Sequence, residues 1–131
     1  MRPRKAVLVL TLLVPLLAGC GYPRSKFEKK TLPSGAEIRL LSTHKFYVES
    51  LQASGLEWKY ETDLSTKDLP RLKEEVLDVW EGLRPELIRE KLTIGVIIAR
   101  EPPKKWGSFP DYQSHKFVFV KQKRGEWQLQ Y

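Results

Sequence analysis

From Gly35 onward the apolar positions pass from a period of two to a period near 3.6 and back again. Ala36, Ile38 and Leu40 alternate with Glu37 and Arg39, the pattern of a strand with one buried face, and Phe46 to Val48 reads as a second, short strand. Leu56, Trp58, Tyr60 and Thr62 alternate with Glu57, Lys59 and Glu61 as the clearest amphipathic strand, entered through a turn at Ser54-Gly55. Ser65 then offers a helix cap with Asp68 three residues on, and Pro70 is tolerated in a first turn. Leu69, Leu72, Val76, Val79, Trp80, Leu83 and Leu87 fall at steps of three and four, on one stripe of a helix that faces a core. Gly82 and Pro85 predict that the regular helix ends or bends near Leu83, leaving a short helical turn over 86–91.

After the helix, residues 92–99 are apolar on nearly both faces, as in a central strand. Residues 117–120 and 126–131 form a terminal hairpin around Lys123-Arg124-Gly125, with Trp127, Leu129 and Tyr131 on one face and Gln128 and Gln130 on the other. The predicted class is α+β: a mostly antiparallel sheet of five to six strands packed against one main helix.

The front of the chain carries a different pattern. No acidic residue precedes Glu28, Arg2, Arg4 and Lys5 are basic, and Ala6 to Leu17 is an apolar run of 12 residues. A membrane-spanning helix needs about 20, so this reads as an export signal. The run ends in Leu17-Ala18-Gly19-Cys20, which holds the only cysteine of the 131 residues. That tetrapeptide resembles the lipobox of bacterial lipoproteins. The resemblance implies cleavage between Gly19 and Cys20, a thioether-linked diacylglycerol on Cys20, and acyl chains such as palmitate that fasten the mature protein to a cell membrane. In a cell with two membranes, Gly21 lacks the aspartate that resembles an inner-membrane retention signal, which implies the outer membrane, facing the periplasm. A cleaved secretory signal ending near a cysteine by chance and an uncleaved anchor are the competing readings. The globular part, in the stretch "EVLDVWEGLRPE", resembles small uncharacterised bacterial proteins, a resemblance that implies no activity.

These features divide the chain into a signal peptide (1–19), a lipidated tether (20–34) and one globular domain (35–131). Removing residues 1–19 takes away Arg2, Arg4 and Lys5 and leaves 20 basic and 16 acidic side chains, so the net charge falls from +7 to +4. Arg24, Lys26, Lys29 and Lys30 cluster in the tether with Glu28 as their one acidic neighbour. Such residues hold anionic lipid headgroups when close to the surface, or simply keep a linker solvated. Pro23 and Leu32-Pro33-Ser34-Gly35 bracket this connector.

Chemistry is sparse. His44 and His115 stand 71 positions apart with no ligand at metal spacing beside either, so no metal and no cofactor are expected. Nucleophile elbows, glycine-rich phosphate loops and Cys-His pairs do not occur. Glu57 and Glu61 share a strand face roughly 13 Å apart at about 3.3 Å per residue, beyond the roughly 5 to 9.5 Å of glycosidase carboxylates, and Lys59 lies between them. Glu74, Glu75, Asp78 and Glu81 read as a solvated helix face. Lys116 to Val120 lacks the glycines of an RNA-recognition strand, and nucleic acid is not an expected partner. The candidate partner-binding segment is Arg100 to Ser114, longer than an ordinary connection, where Lys104, Lys105, Trp106, Phe109 and Tyr112 combine cations with rings. Either those rings meet an envelope protein or glycan, or they fold back over the sheet edge. The expectation is a lipid-anchored cell-envelope protein acting as a non-catalytic binding or assembly module. The alternatives are a structural accessory subunit of an envelope complex and an enzyme with an unfamiliar site.

Overall fold

The computed structural model of the chain describes residues 26–106 and 109–130, and of residues 105, 106 and 109–111 the backbone only. Among the described residues the strands are β1 (Glu28–Thr31), β2 (Glu37–Val48), β3 (Ala53–Glu61), β4 (Ile94–Arg100), β5 (Lys104–Trp106), β6 (Phe109–Asp111), β7 (Ser114–Lys121) and β8 (Trp127–Gln130). One long helix, α1 (Leu69–Arg89), connects β3 to β4. Six strands form one sheet in the order β1-β2-β3-β4-β7-β8, and β5 pairs with β6 in a separate hairpin. All neighbours in the large sheet are antiparallel except β3 and β4. A parallel pair needs a long crossover, and α1 is that crossover. The class is therefore α+β, one mostly antiparallel sheet with one main helix.

The helical stripe closes the core. Leu72, Val76, Val79, Trp80, Leu83 and Leu87 are buried on α1 against Leu56, Trp58 and Tyr60 of β3, Ile97 and Ala99 of β4, and Phe117 and Phe119 of β7. A Cβ on Gly95 would lie 2.6 Å from Trp80 Cζ3 and 2.7 Å from Leu87 Cδ1, so the missing side chain lets α1 lie close on the central strand.

The boundary expected at residue 34 lies earlier. Strand β1 falls inside the segment read as a tether, with Glu28 opposite Leu40 and Thr31 opposite Glu37, and Leu32 is buried in the core. Leu32-Pro33-Ser34-Gly35 is thus a hairpin turn, closed by Leu32 N–H donating to Ala36 O and Gly35 N–H to Leu32 O. Four residues rich in lysine hide an edge strand well, because an edge needs little apolar content and tolerates charge.

Two expected strands are one. Strand β2 runs unbroken for 12 residues, but its register shifts between Leu40, opposite Tyr60, and Ser42, opposite Lys59. This bulge exchanges the faces, so Ile38 and Leu40 point to the helix side while Phe46, opposite Gly55, points away from it. Alternation is lost at that step, and the strand looks interrupted.

The helix also differs at both ends. It begins at Leu69 with Asp68 at the cap, and Ser65 instead closes a preceding turn by accepting from Lys67 N–H. Gly82 and Pro85 do not end it. A Cβ on Gly82 would sit 2.7 Å from Leu32 Cδ2, so this glycine makes room for the β1–β2 turn. An internal proline costs about 3 kcal/mol. Burying Leu83 and Leu87 on either side of Pro85 returns about 1.5–3 kcal/mol each, and the helix continues to Arg89.

Candidate functional site

The 100–114 segment, expected as an irregular loop, contains the β5–β6 hairpin. Its root is built from residues that read as ordinary strand ends. Arg100 closes β4, and Glu101 N–H donates to Gln113 O at 2.8 Å, tying the two arms together below the hairpin. Glu101 is buried, and its carboxylate accepts from Thr66 N–H at 3.1 Å and Thr66 Oγ1 at 2.7 Å. These bonds hold its pKa below the ordinary carboxylate value, the Thr66 hydroxyl contributing most, then the Thr66 amide, with Lys104 adding to them. Lys104 Nζ lies 3.6 Å from Glu101 Oε1, and the Arg100 guanidinium sits over the Tyr112 ring at 4.4 Å from its centroid.

Two of the five candidate residues, Lys104 and Tyr112, therefore flank this root, both exposed. Register places Lys104 opposite Asp111, Lys105 opposite Pro110 and Trp106 opposite Phe109, so the other three candidates belong to the two hairpin arms. The side chains of Lys105, Trp106 and Phe109 lie outside the described residues. At the same end of the fold, Leu69, Pro70, Lys73 and Phe117 line a cavity of about 330 Å³ between the start of α1 and β7. Its size falls within the range of small-ligand pockets, about 300–1,000 Å³, and its lining combines apolar surface with one ammonium. Periodicity places Leu69 on the core-facing stripe of the helix, but at the first turn it has no strand to pack on and is exposed beside this hollow.

Sequence reading also missed a polar cluster between α1 and the start of the sheet. Tyr60 Oη and Thr62 Oγ1 both donate to Glu75 Oε1, at 2.8 and 2.6 Å. Arg39 Nη2 donates to Asp63 Oδ1 at 2.7 Å, and its Nε lies 3.1 Å from Glu61 Oε1, an ion-pair contact whose alignment falls short of a hydrogen bond. Burial, then the neighbouring Glu75 carboxylate, pushes the Tyr60 phenol far above its usual value. The bond to Asp63 raises the Arg39 guanidinium further. The cavity these groups surround measures about 60 Å³, too small for a substrate. Glu75 is thus half-buried and engaged, unlike the solvated helix face expected of it, and Asp78 accepts from Ser34 Oγ at 2.7 Å.

His44 is exposed on β2, whereas the His115 ring stands edge-on to Phe117 at 4.8 Å. No group of three metal-ligating side chains occurs among the described residues. Cys20 and Gly19 lie outside those residues, and no described helix is long and apolar enough to cross a membrane. No family model, curated protein or solved structure matches the chain.

Proposed function

We propose that this chain is a lipid-anchored cell-envelope protein whose single domain is a non-catalytic binding or assembly module. Cys20 is the lipid attachment point, and the face around the β5–β6 hairpin engages an envelope protein or a glycan. The address rests on Leu17-Ala18-Gly19-Cys20 following a basic, then apolar, leader. The binding assignment rests on one observation: the hairpin stands on a root locked by Glu101 and Thr66, with Lys104 and Tyr112 exposed at its feet. A locked root presents the arms with little ordering cost on binding, and rings beside cations suit both sugar faces and protein hot spots. Against catalysis stands the commitment of Glu61, Glu75 and Glu101 to Arg39, Tyr60, Thr62 and Thr66.

Crosslinking in the native envelope tests this reading. A neighbour captured by the unaltered protein and lost from both Trp106→Ala and Tyr112→Ala is the expected result. Retention of that neighbour in both variants favours the second reading, an accessory subunit docked through a sheet edge. That reading has its own support, because β1 covers only residues 37–40 of β2 and no described strand pairs with the outer side of Leu41 to Val48. Beside that free edge, Lys26 to Glu28 and Leu40 to Thr43 line an open cleft of about 370 Å³. Mass measurement of the mature protein tests the anchor by itself, since Cys20→Ser removes the thiol on which the acyl chains are built.

A further inference from the structure

We infer that the end of the sheet opposite the hairpin is a docking face for anionic phospholipid, which holds the domain upright on the membrane that carries its anchor. The inference rests on the lipid-anchor reading above and adds to it an orientation and a lipid class. Backbone hydrogen bonds define this end: Thr93 N–H donates to Ser54 O, Lys121 N–H to Thr93 O, and Leu92 N–H to Leu87 O. They bring the β2–β3 connection, the last turn of α1 and the β7–β8 turn to one rim.

Three observations converge there. The three most exposed large hydrophobic side chains among the described residues are Leu51 at 66%, Tyr47 at 61% and Ile88 at 55%, and all belong to this rim. Aromatic and branched apolar groups flanked by cations are the composition that settles at the headgroup level of a bilayer. Charge is the second observation. Lys45, Arg89, Lys91, Lys121, Lys123 and Arg124 are exposed here, against the acids Glu49, Glu86, Glu90 and Glu126. At the hairpin end the cations are engaged instead: Arg39 contacts Glu61 and Asp63, Lys104 contacts Glu101, and Arg100 lies over the Tyr112 ring. A membrane field decays within roughly 8–10 Å, so the charge of the nearest rim decides the orientation, whatever the net charge of the domain.

The third observation is the path of the tether. Strand β1 is antiparallel to β2 with Glu28 opposite Leu40, so the chain before Glu28 arrives from the side of this rim. Val48, at the rim, lies eight residues beyond Leu40, and Cys20 precedes Glu28 by the same eight. At about 3.3 Å per residue both spans reach about 26 Å. Eight residues are thus long enough to let the lipid reach the level of Tyr47 and Leu51, with the hairpin at the far end of the sheet.

The test uses the lipidated protein matured by cells, reconstituted in vesicles of phosphatidylglycerol and phosphatidylethanolamine or of phosphatidylcholine alone. A water-soluble acylating reagent then labels lysines, read by mass spectrometry. Lys45, Lys91, Lys121 and Lys123 are expected to label several-fold more slowly on the anionic vesicles, and Lys67 and Lys104 equally on both. Charge reversal by Lys121→Glu with Lys123→Glu, at the exposed last residue of β7 and in the exposed turn after it, should abolish the protection at Lys45 and Lys91. Equal labelling on the two compositions, or protection centred on Lys67 and Lys104, overturns the inference. Protection that needs an envelope extract but not anionic lipid overturns it in favour of a protein partner at this rim. Flotation separates the two readings: protein that floats with both compositions but shows no differential labelling keeps the anchor and loses the docking face. Protein that floats with anionic vesicles alone keeps the docking face and loses the anchor, and protein that floats with neither loses both.

Discussion

The two sides of α1 are held to the sheet by different physics. Towards β1–β3 the contacts are directional and polar: Asp78 accepts from Ser34, and Glu75 from Tyr60 and Thr62. Towards β7 and β8 they are aromatic, with Trp80 stacked on Phe119 at 4.1 Å and 2° and edge-on to Trp127 at 5.1 Å. The aromatic side supplies buried area without demanding one geometry, whereas the polar side supplies little net energy but penalises any arrangement that leaves its hydroxyls unpaired. One side drives the helix onto the sheet, and the other fixes where it sits.

Removing the driver should cost most. Trp80→Ala is expected to lose about 3–5 kcal/mol in urea unfolding, because it empties the space between Leu87, Phe119 and Trp127. Glu75→Ala should cost about 2 kcal/mol by leaving two largely buried hydroxyls without their acceptor, and Glu75→Gln much less, since an amide oxygen still accepts. A pair of glycine variants sharpens the contrast further. Gly95→Ala pushes a methyl into the Trp80 ring and should destabilise by about 1–2 kcal/mol. In Gly82→Ala the clash is with the tip of Leu32, and a gain of about 1 kcal/mol in helix propensity offsets it, so the melting temperature should barely move.

The smallest expected effect is in pH dependence, and it belongs to the polar groups alone. The Tyr60 phenol titrates above its ordinary value of 10.0 in the folded state. Its contribution is complete below pH 10 and is lost as pH rises further, when the unfolded chain releases a proton that the folded one keeps. Glu101 has the opposite sign. Its folded value lies below the ordinary 4.5, so its contribution is present above that pH and is lost as pH falls through the folded value. Melting curves of Tyr60→Phe should lack the alkaline loss, those of Glu101→Gln the acid one, and Trp80→Phe should keep both. A Trp80→Phe variant with altered pH limbs would show that the two sides of α1 are not independent.

Elements with one unbroken period were legible in the chain: the Leu56 to Thr62 alternation, the Leu69 to Leu87 stripe and the apolar 92–99 run became β3, α1 and β4. The failures share a cause. Strand β1 carries mostly charge, the bulge at Leu41 reverses the alternation of β2, and Gly82 and Pro85 resemble helix stops although tertiary packing overrides them. Composition and length mark residues 100–114 as a candidate binding loop, but neither its β5–β6 pairing nor its root is legible, because Thr66 and Glu101 are 35 residues apart. Nothing local marks such a pair.

The sequence by itself determined the class of fold and the buried stripe, and it alone carries the basic and apolar run that ends in the single cysteine, because period and composition are properties of neighbouring residues. Tertiary structure alone decided which carboxylates are engaged, where α1 ends and which rim gathers exposed Leu51, Tyr47 and Ile88. Those are matters of distance between segments remote in the chain, and the free energy of contact that settles them exists only once the sheet has brought the segments together.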